Sequence, residues 1–134
     1  MPIVKKISFL FLFFLLLISC GTREDETETE QYAGLWHWVS TDGGLANIHL
    51  TPASTGIKRT LVLTLEAFYN ITENVIITSE GTYYVGRAVT NTDHLEKLFL
   101  HLSKDKSFII DNHTSTDLFL TEDVYDGVRH HYSK

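Results

Sequence analysis

The chain carries a single cysteine, Cys20, so no disulfide framework can brace it. It has only two prolines, and its one long apolar stretch, residues 7–18, falls short of the roughly 20 residues a membrane-spanning helix needs. Basic residues are outnumbered, 11 Lys and Arg against 17 Asp and Glu. That balance excludes the basic footprint of a nucleic-acid binder. Catalytic apparatus is missing as well. There is no Gly-x-Ser-x-Gly elbow, no paired carboxylates stand out, and no His or Cys spacing matches a metal site. The expectation is a protein that is not an enzyme and takes no metal and no cofactor.

What is present begins at the N-terminus. Lys5 and Lys6 precede the apolar run of residues 7–18, which has the length of a signal-peptide core. Leu17-Ile18-Ser19-Cys20-Gly21 then resembles the lipobox of bacterial lipoproteins. The resemblance implies removal of residues 1–19 and lipidation of Cys20, so that a membrane is the first expected partner. Several acyl chains hold a protein firmly where one chain holds it marginally. Without residues 1–19 the chain keeps nine basic and seventeen acidic residues, a formal charge of −8.

Residues 20–33 read as the lipidated Cys and a flexible acidic tether. Residues 22–31 contain five carboxylates, one arginine and no apolar side chain, a composition that stays extended and solvated. Arg23-Glu24-Asp25-Glu26 resembles the acidic run that follows the cysteine in lipoproteins of Bacteroidetes. In that group it directs export, which implies an outer-membrane lipoprotein of the cell envelope, displayed at the surface.

Residues 34–134 form the one remaining domain, long enough for a single modest core. Period-2 alternation dominates: Leu61, Leu63 and Leu65 in one run, Leu98, Leu100 and Leu102 in another, Leu118 and Leu120 in a third. Residues 74–78, 82–87, 107–111 and 128–132 are rich in β-branched and aromatic side chains, which suit strands. Turns are expected at Asp42-Gly43-Gly44, Glu80-Gly81, Lys104-Asp105-Lys106 and Asp126-Gly127. Pro52 belongs to a loop, and residues 92–97 offer at most one helical turn. The pattern predicts an all-β fold, a small antiparallel up-and-down barrel of about eight strands, because closure removes exposed edges. Such a barrel is filled by side chains or admits one small ligand. It is expected to be a monomer.

Gly34-Leu35-Trp36 resembles the Gly-x-Trp signature that opens lipocalins and related calycin barrels. Trp36-His37-Trp38-Val39-Ser40, Gly43-Gly44, Thr51-Pro52, Gly56 and the ending from Asp126-Gly127 to Tyr132 are similar to small lipocalin-like lipoproteins of Bacteroidetes. The resemblance implies that Trp36 plugs the barrel base beneath a cation, with Arg87 or Arg129 as the candidates. It departs from the family in length, in lacking a clear second motif, and in having no C-terminal helix.

The expected function is binding of a small apolar or amphipathic ligand at the cell envelope. Trp38, Tyr83, Tyr84 and Phe99 are the candidate wall residues, with strand register deciding which point inward. The alternative is a cavity-less barrel that binds an envelope protein or glycan through its loops or through aromatics such as Phe119. His130 and His131 are adjacent on a strand, so they face opposite sides and cannot chelate one ion together. Asp117, Glu122, Asp123 and Asp126 gather near the last hairpin without calcium-loop spacing, as a solvated acidic turn would.

Overall fold

Residues 29–134 are described in a computed structural model. The expected signal peptide of residues 1–19, the expected lipidation site Cys20 and the acidic run of residues 23–26 lie outside the described residues. Nine strands make one antiparallel sheet: β1 Gly34–Gly43, β2 Ile48–Leu50, β3 Arg59–Leu63, β4 Phe68–Glu73, β5 Ile76–Val89, β6 Glu96–Leu102, β7 Ser107–His113, β8 Asp117–Glu122 and β9 Val128–Ser133. A four-residue helix, α1 Pro52–Thr55, interrupts the chain between β2 and β3. Among the described residues no helix is long and apolar enough to cross a membrane.

Eight of the strands close into a barrel, in the order β1-β3-β4-β5-β6-β7-β8-β9 and back to β1. The expected all-β barrel of eight strands is therefore the observed one, with β2 as an extra short strand. Closure works because β1 is long enough for three neighbours. Its first half pairs with β3, from Gly34↔Leu63 to His37↔Thr60. Most of its length pairs with β9, and its last residues, Thr41–Gly43, also hold β2.

Alternation then fills the interior. Trp36, Trp38, Leu61, Leu63, Tyr69, Tyr83, Leu100, Leu102, Leu118, Leu120 and Tyr132 are all buried and belong to one cluster. A bulge between Trp38 and Ser40 resets the parity of β1, so that Thr41 joins the tryptophans and lies opposite His130.

The chain enters at one end of the barrel, which is plugged. Tyr32 is 4% exposed, and its carbonyl accepts from the Trp36 indole N–H at 2.8 Å. The packed unit therefore starts before residue 34, since Tyr32 and the turn around it are part of the core rather than the tether. Trp36 is fully buried. The cation over it is neither Arg87 nor Arg129 but Lys134, whose Nζ lies 4.5 Å from the ring centroid and donates to the Ala33 carbonyl at 3.0 Å. Gly34 makes room for it: a Cβ there would come within 2.9 Å of the Lys134 side chain, and its φ of +140° suits glycine alone. Arg129 instead covers Phe119 on the outer surface at 4.2 Å.

Three local expectations change. Residues 74–78 do not make one strand: Asn74 and Val75 form the two-residue hairpin between β4 and β5, with φ of 49° and 66°. Asn tolerates the left-handed conformation that a primed turn needs, whereas β-branched Val75 adopts it under steric load. Glu80-Gly81 is not a turn but lies inside the continuous strand β5. Gly81 is required by packing, since a Cβ would fall on the Ser103 hydroxyl and within 3.2 Å of the Tyr69 ring. Lastly, the helical turn is at Pro52–Thr55 instead of residues 92–97, with Thr51 as N-cap, Pro52 in the first turn and Gly56 closing it at φ 72°. One turn is too short to show a helical period in sequence.

Candidate functional site

The mouth is the barrel end opposite the plug, and four of the strands that reach it end in a polar side chain on the inward face. Arg59 continues the Leu61 and Leu63 face of β3, and Glu73 the Tyr69 and Ile71 face of β4. Glu122 follows Leu118 and Leu120 on β8, and His130 precedes Tyr132 on β9. Together with Asp105 and Lys106 from the β6–β7 turn they surround a cavity of about 280 Å³. Leu61, Ile71, Leu102, Phe108 and Leu120 line its apolar part. Two shallower depressions of about 340 and 330 Å³ lie elsewhere and are more open to solvent.

The polar groups form two linked sets. Arg59 donates through Nε and one Nη to a single oxygen of Glu73, at 2.9 and 2.7 Å. Its guanidinium lies 4.9 Å from the ring centroid of Trp38, and it also faces the Tyr132 hydroxyl. Burial pushes the Tyr132 phenol up from its ordinary pKa, with Arg59 opposing the rise, so the ring is neutral.

The second set starts from the other edge of Trp38. Its indole N–H donates to the Thr41 hydroxyl at 2.9 Å, and that hydroxyl lies 2.7 Å from His130 Nδ1. Burial lowers the His130 pKa against the opposing pull of Glu122, which keeps the imidazole neutral near pH 7. The Glu122 carboxylate, 3.7 Å from Nε2, favours the proton on that nitrogen and leaves Nδ1 to accept from Thr41. At that distance the contact is electrostatic rather than a hydrogen bond. Glu122 accepts a true one from Lys106 at 3.0 Å.

None of the four expected wall residues borders the cavity. Trp38 comes nearest, as the support beneath Arg59 and the donor to Thr41. Tyr83 points inward but towards the plugged end, where its hydroxyl donates to the Thr64 carbonyl at 2.7 Å. Tyr84 is 60% exposed on the outer surface and stacks on His101 at 4.3 Å. Phe99 also points to the outer side but is only 5% exposed, stacked with His101 at 5.6 Å and lining one of the open depressions instead of the mouth cavity. The reason is parity: β6 turns Leu98, Leu100 and Leu102 inward, so Phe99 and its partners across Gly86 face out.

The remaining histidines and acids separate. His131 faces out, stacked on Phe119 at 4.2 Å and bonded to Asp117 at 2.7 Å, while its neighbour His130 faces in. Asp123 accepts from the backbone N–H groups of Asn91 and Thr92, tying the β8–β9 loop to the β5–β6 turn. Asp117, Glu122, Asp123 and Asp126 thus serve different local structures. Among the described residues no three His, Cys, Asp or Glu side chains are grouped to hold a metal.

The mouth residues Arg59, Glu73, His130 and Tyr132 were not among the expected site residues. Their signal was the same alternation that marks the core, extended one step past the last apolar position of each strand. Comparison with protein-family models, with characterised proteins and with solved structures returned no match to this chain.

Proposed function

We propose that this chain is a lipocalin-like lipoprotein, tethered to the outer membrane through Cys20, whose barrel mouth binds one small amphipathic molecule. The observation that carries the reading is the cavity of about 280 Å³, apolar on its walls and polar at its rim. A volume just below the range of about 300–1,000 Å³ common for ligand sites favours a compact occupant over a long lipid chain. Binding would come from burial of the ligand's apolar part against Leu61, Ile71 and Leu120, with the rim orienting its polar end. The described chain enters at the plugged end, so on this reading the mouth faces away from the tether's point of attachment.

Native mass spectrometry of the mature chain purified from cell envelopes tests the ligand. A stoichiometric small-molecule adduct is expected, and repeated recovery of the bare chain counts against it. Fractionation tests the anchor: Cys20→Ser should move the protein from the membrane to the soluble fraction. Retention of that variant in the membrane would overturn the lipoprotein reading.

A further inference from the structure

We infer that the ligand of the mouth cavity carries an ammonium group on a short apolar body. This rests on the cavity reading proposed above and adds the chemical class of the occupant. The charged groups around this partly open cavity do not balance. The ionised side chains bordering it are two cations, Arg59 and Lys106, and three carboxylates, Glu73, Asp105 and Glu122.

Both cations are already paired with carboxylates, each keeping N–H donors unused, so the imbalance at the rim is one of charge, three carboxylates against two cations. Arg59 spends Nε and one Nη on Glu73, rests its plane against Trp38 and faces Tyr132. Lys106 is held by Glu122. The acceptors are not exhausted. Each ion pair closes through one carboxylate oxygen, and the second oxygen of Glu73 and of Glu122 has no hydrogen bond among the described residues. The Asp105 carboxylate accepts from the backbone N–H of Lys106 at 2.8 Å and pairs with no cation among the described residues.

An ammonium supplies up to three donors and one positive charge, which matches that surplus. A carboxylate ligand would add a fourth negative charge to a rim that already carries three against two cations. The walls suit the rest of an amine: Leu61, Ile71, Phe108 and Leu120 take an alkyl chain. The apolar wall is what separates this arrangement from a solvated acidic patch, since it gives the organic part of the ligand a reason to enter.

The experiment titrates the mature chain with n-hexylammonium, 1-hexanol and hexanoate, three probes of one chain length, following Trp38 fluorescence and backbone amide shifts in β3, β8 and β9. Hexylammonium is expected to bind at least about tenfold more tightly than hexanoate and more tightly than hexanol, with the advantage shrinking as salt is raised. Asp105→Asn, at an exposed turn position, should narrow the gap between hexylammonium and hexanol severalfold. Equal binding of hexylammonium and hexanol, or a preference for hexanoate, overturns the ammonium assignment while the cavity reading stands. Failure of all three probes to shift any mouth residue overturns the cavity reading itself.

Discussion

The two ends of this barrel are built from the same strands and have opposite characters. At the plugged end Tyr32, Trp36, Leu63 and Leu118 fill the section, and the Lys134 cation lies outside as a lid on Trp36. At the mouth the same strands carry Arg59, Glu73, Glu122 and His130 inward, and the polar groups hold the walls apart around a cavity. Each end also encloses one inward histidine, and these differ in how they are satisfied. His130 is bonded to Thr41 and faces Glu122. His113 packs against Tyr32 at 4.4 Å with its Nε2 buried and without a partner among the described residues, and a backbone hydrogen bond to Gln31 partly opposes the fall in its pKa. One half of the barrel is organised for cohesion and the other for access.

The strongest way to break that comparison is to empty the plug. Trp36→Ala should cost about 3–5 kcal/mol, the usual penalty for deleting a fully buried aromatic, read as a lower urea midpoint. Tyr132→Phe at the mouth removes a hydroxyl next to open space and should cost under about 1 kcal/mol. Equal losses from the two variants would mean that the mouth is as tightly packed as the plug.

Acid sharpens the contrast between the two histidines. Burial lowers both pKa values below the ordinary 6.5, with Lys134 adding to the effect at His113. The unfolded chain therefore takes up protons first. Stability is complete above about pH 6.5 and is lost as pH falls towards the folded-state values. His101, also lowered by burial, contributes with the same sign on the outer surface. A second loss follows below the ordinary carboxylate value of 3.8, because Asp42 and Asp117 are held low by their histidine partners and Asp93 by Lys97, down to about 2. His113→Phe should remove an unpaired buried nitrogen and gain about 1 kcal/mol at mildly acidic pH, flattening the first loss in a urea-midpoint profile. A profile parallel to the parent's would show that His113 is not the acid-sensitive group of the plug.

A comparably small effect is expected at the turn that borders the mouth. Val75 sits at φ 66° and is 94% exposed, so it carries backbone strain and adds little packing. Val75→Gly creates an Asn-Gly pair suited to the primed turn and should raise stability by about 1 kcal/mol. A lower melting temperature for that variant would mean that the valine side chain has a packing role.

Much of the barrel was legible because strand alternation is a local property. Leu61 and Leu63, Leu98 to Leu102, and Leu118 with Leu120 each announce a strand with one buried face, and several such strands in hairpin order imply closure. Trp36 was placed at the base by the resemblance of Gly34-Leu35-Trp36 to the Gly-x-Trp signature, but its covering cation was not legible, because Lys134 reaches it only through the closing pair of β1 and β9. The expected wall residues failed for a related reason. Tyr84 and Phe99 sit in strongly β-forming runs, but their direction depends on a register that the neighbouring strands impose. Had the leucine face of β6 been extended to its flanks, Phe99 would have been assigned outward.

The sequence by itself determined an all-β chain, a lone cysteine behind an apolar run, and leucine faces spaced for strands. These are properties of short windows, set by side-chain period and composition. Only the tertiary structure decided that four polar strand ends converge on one mouth, that Arg59 lies over Trp38, and that Thr41 bridges Trp38 to His130. Those contacts join residues far apart in the chain, and a bulge of one residue in β1 is enough to make or lose them.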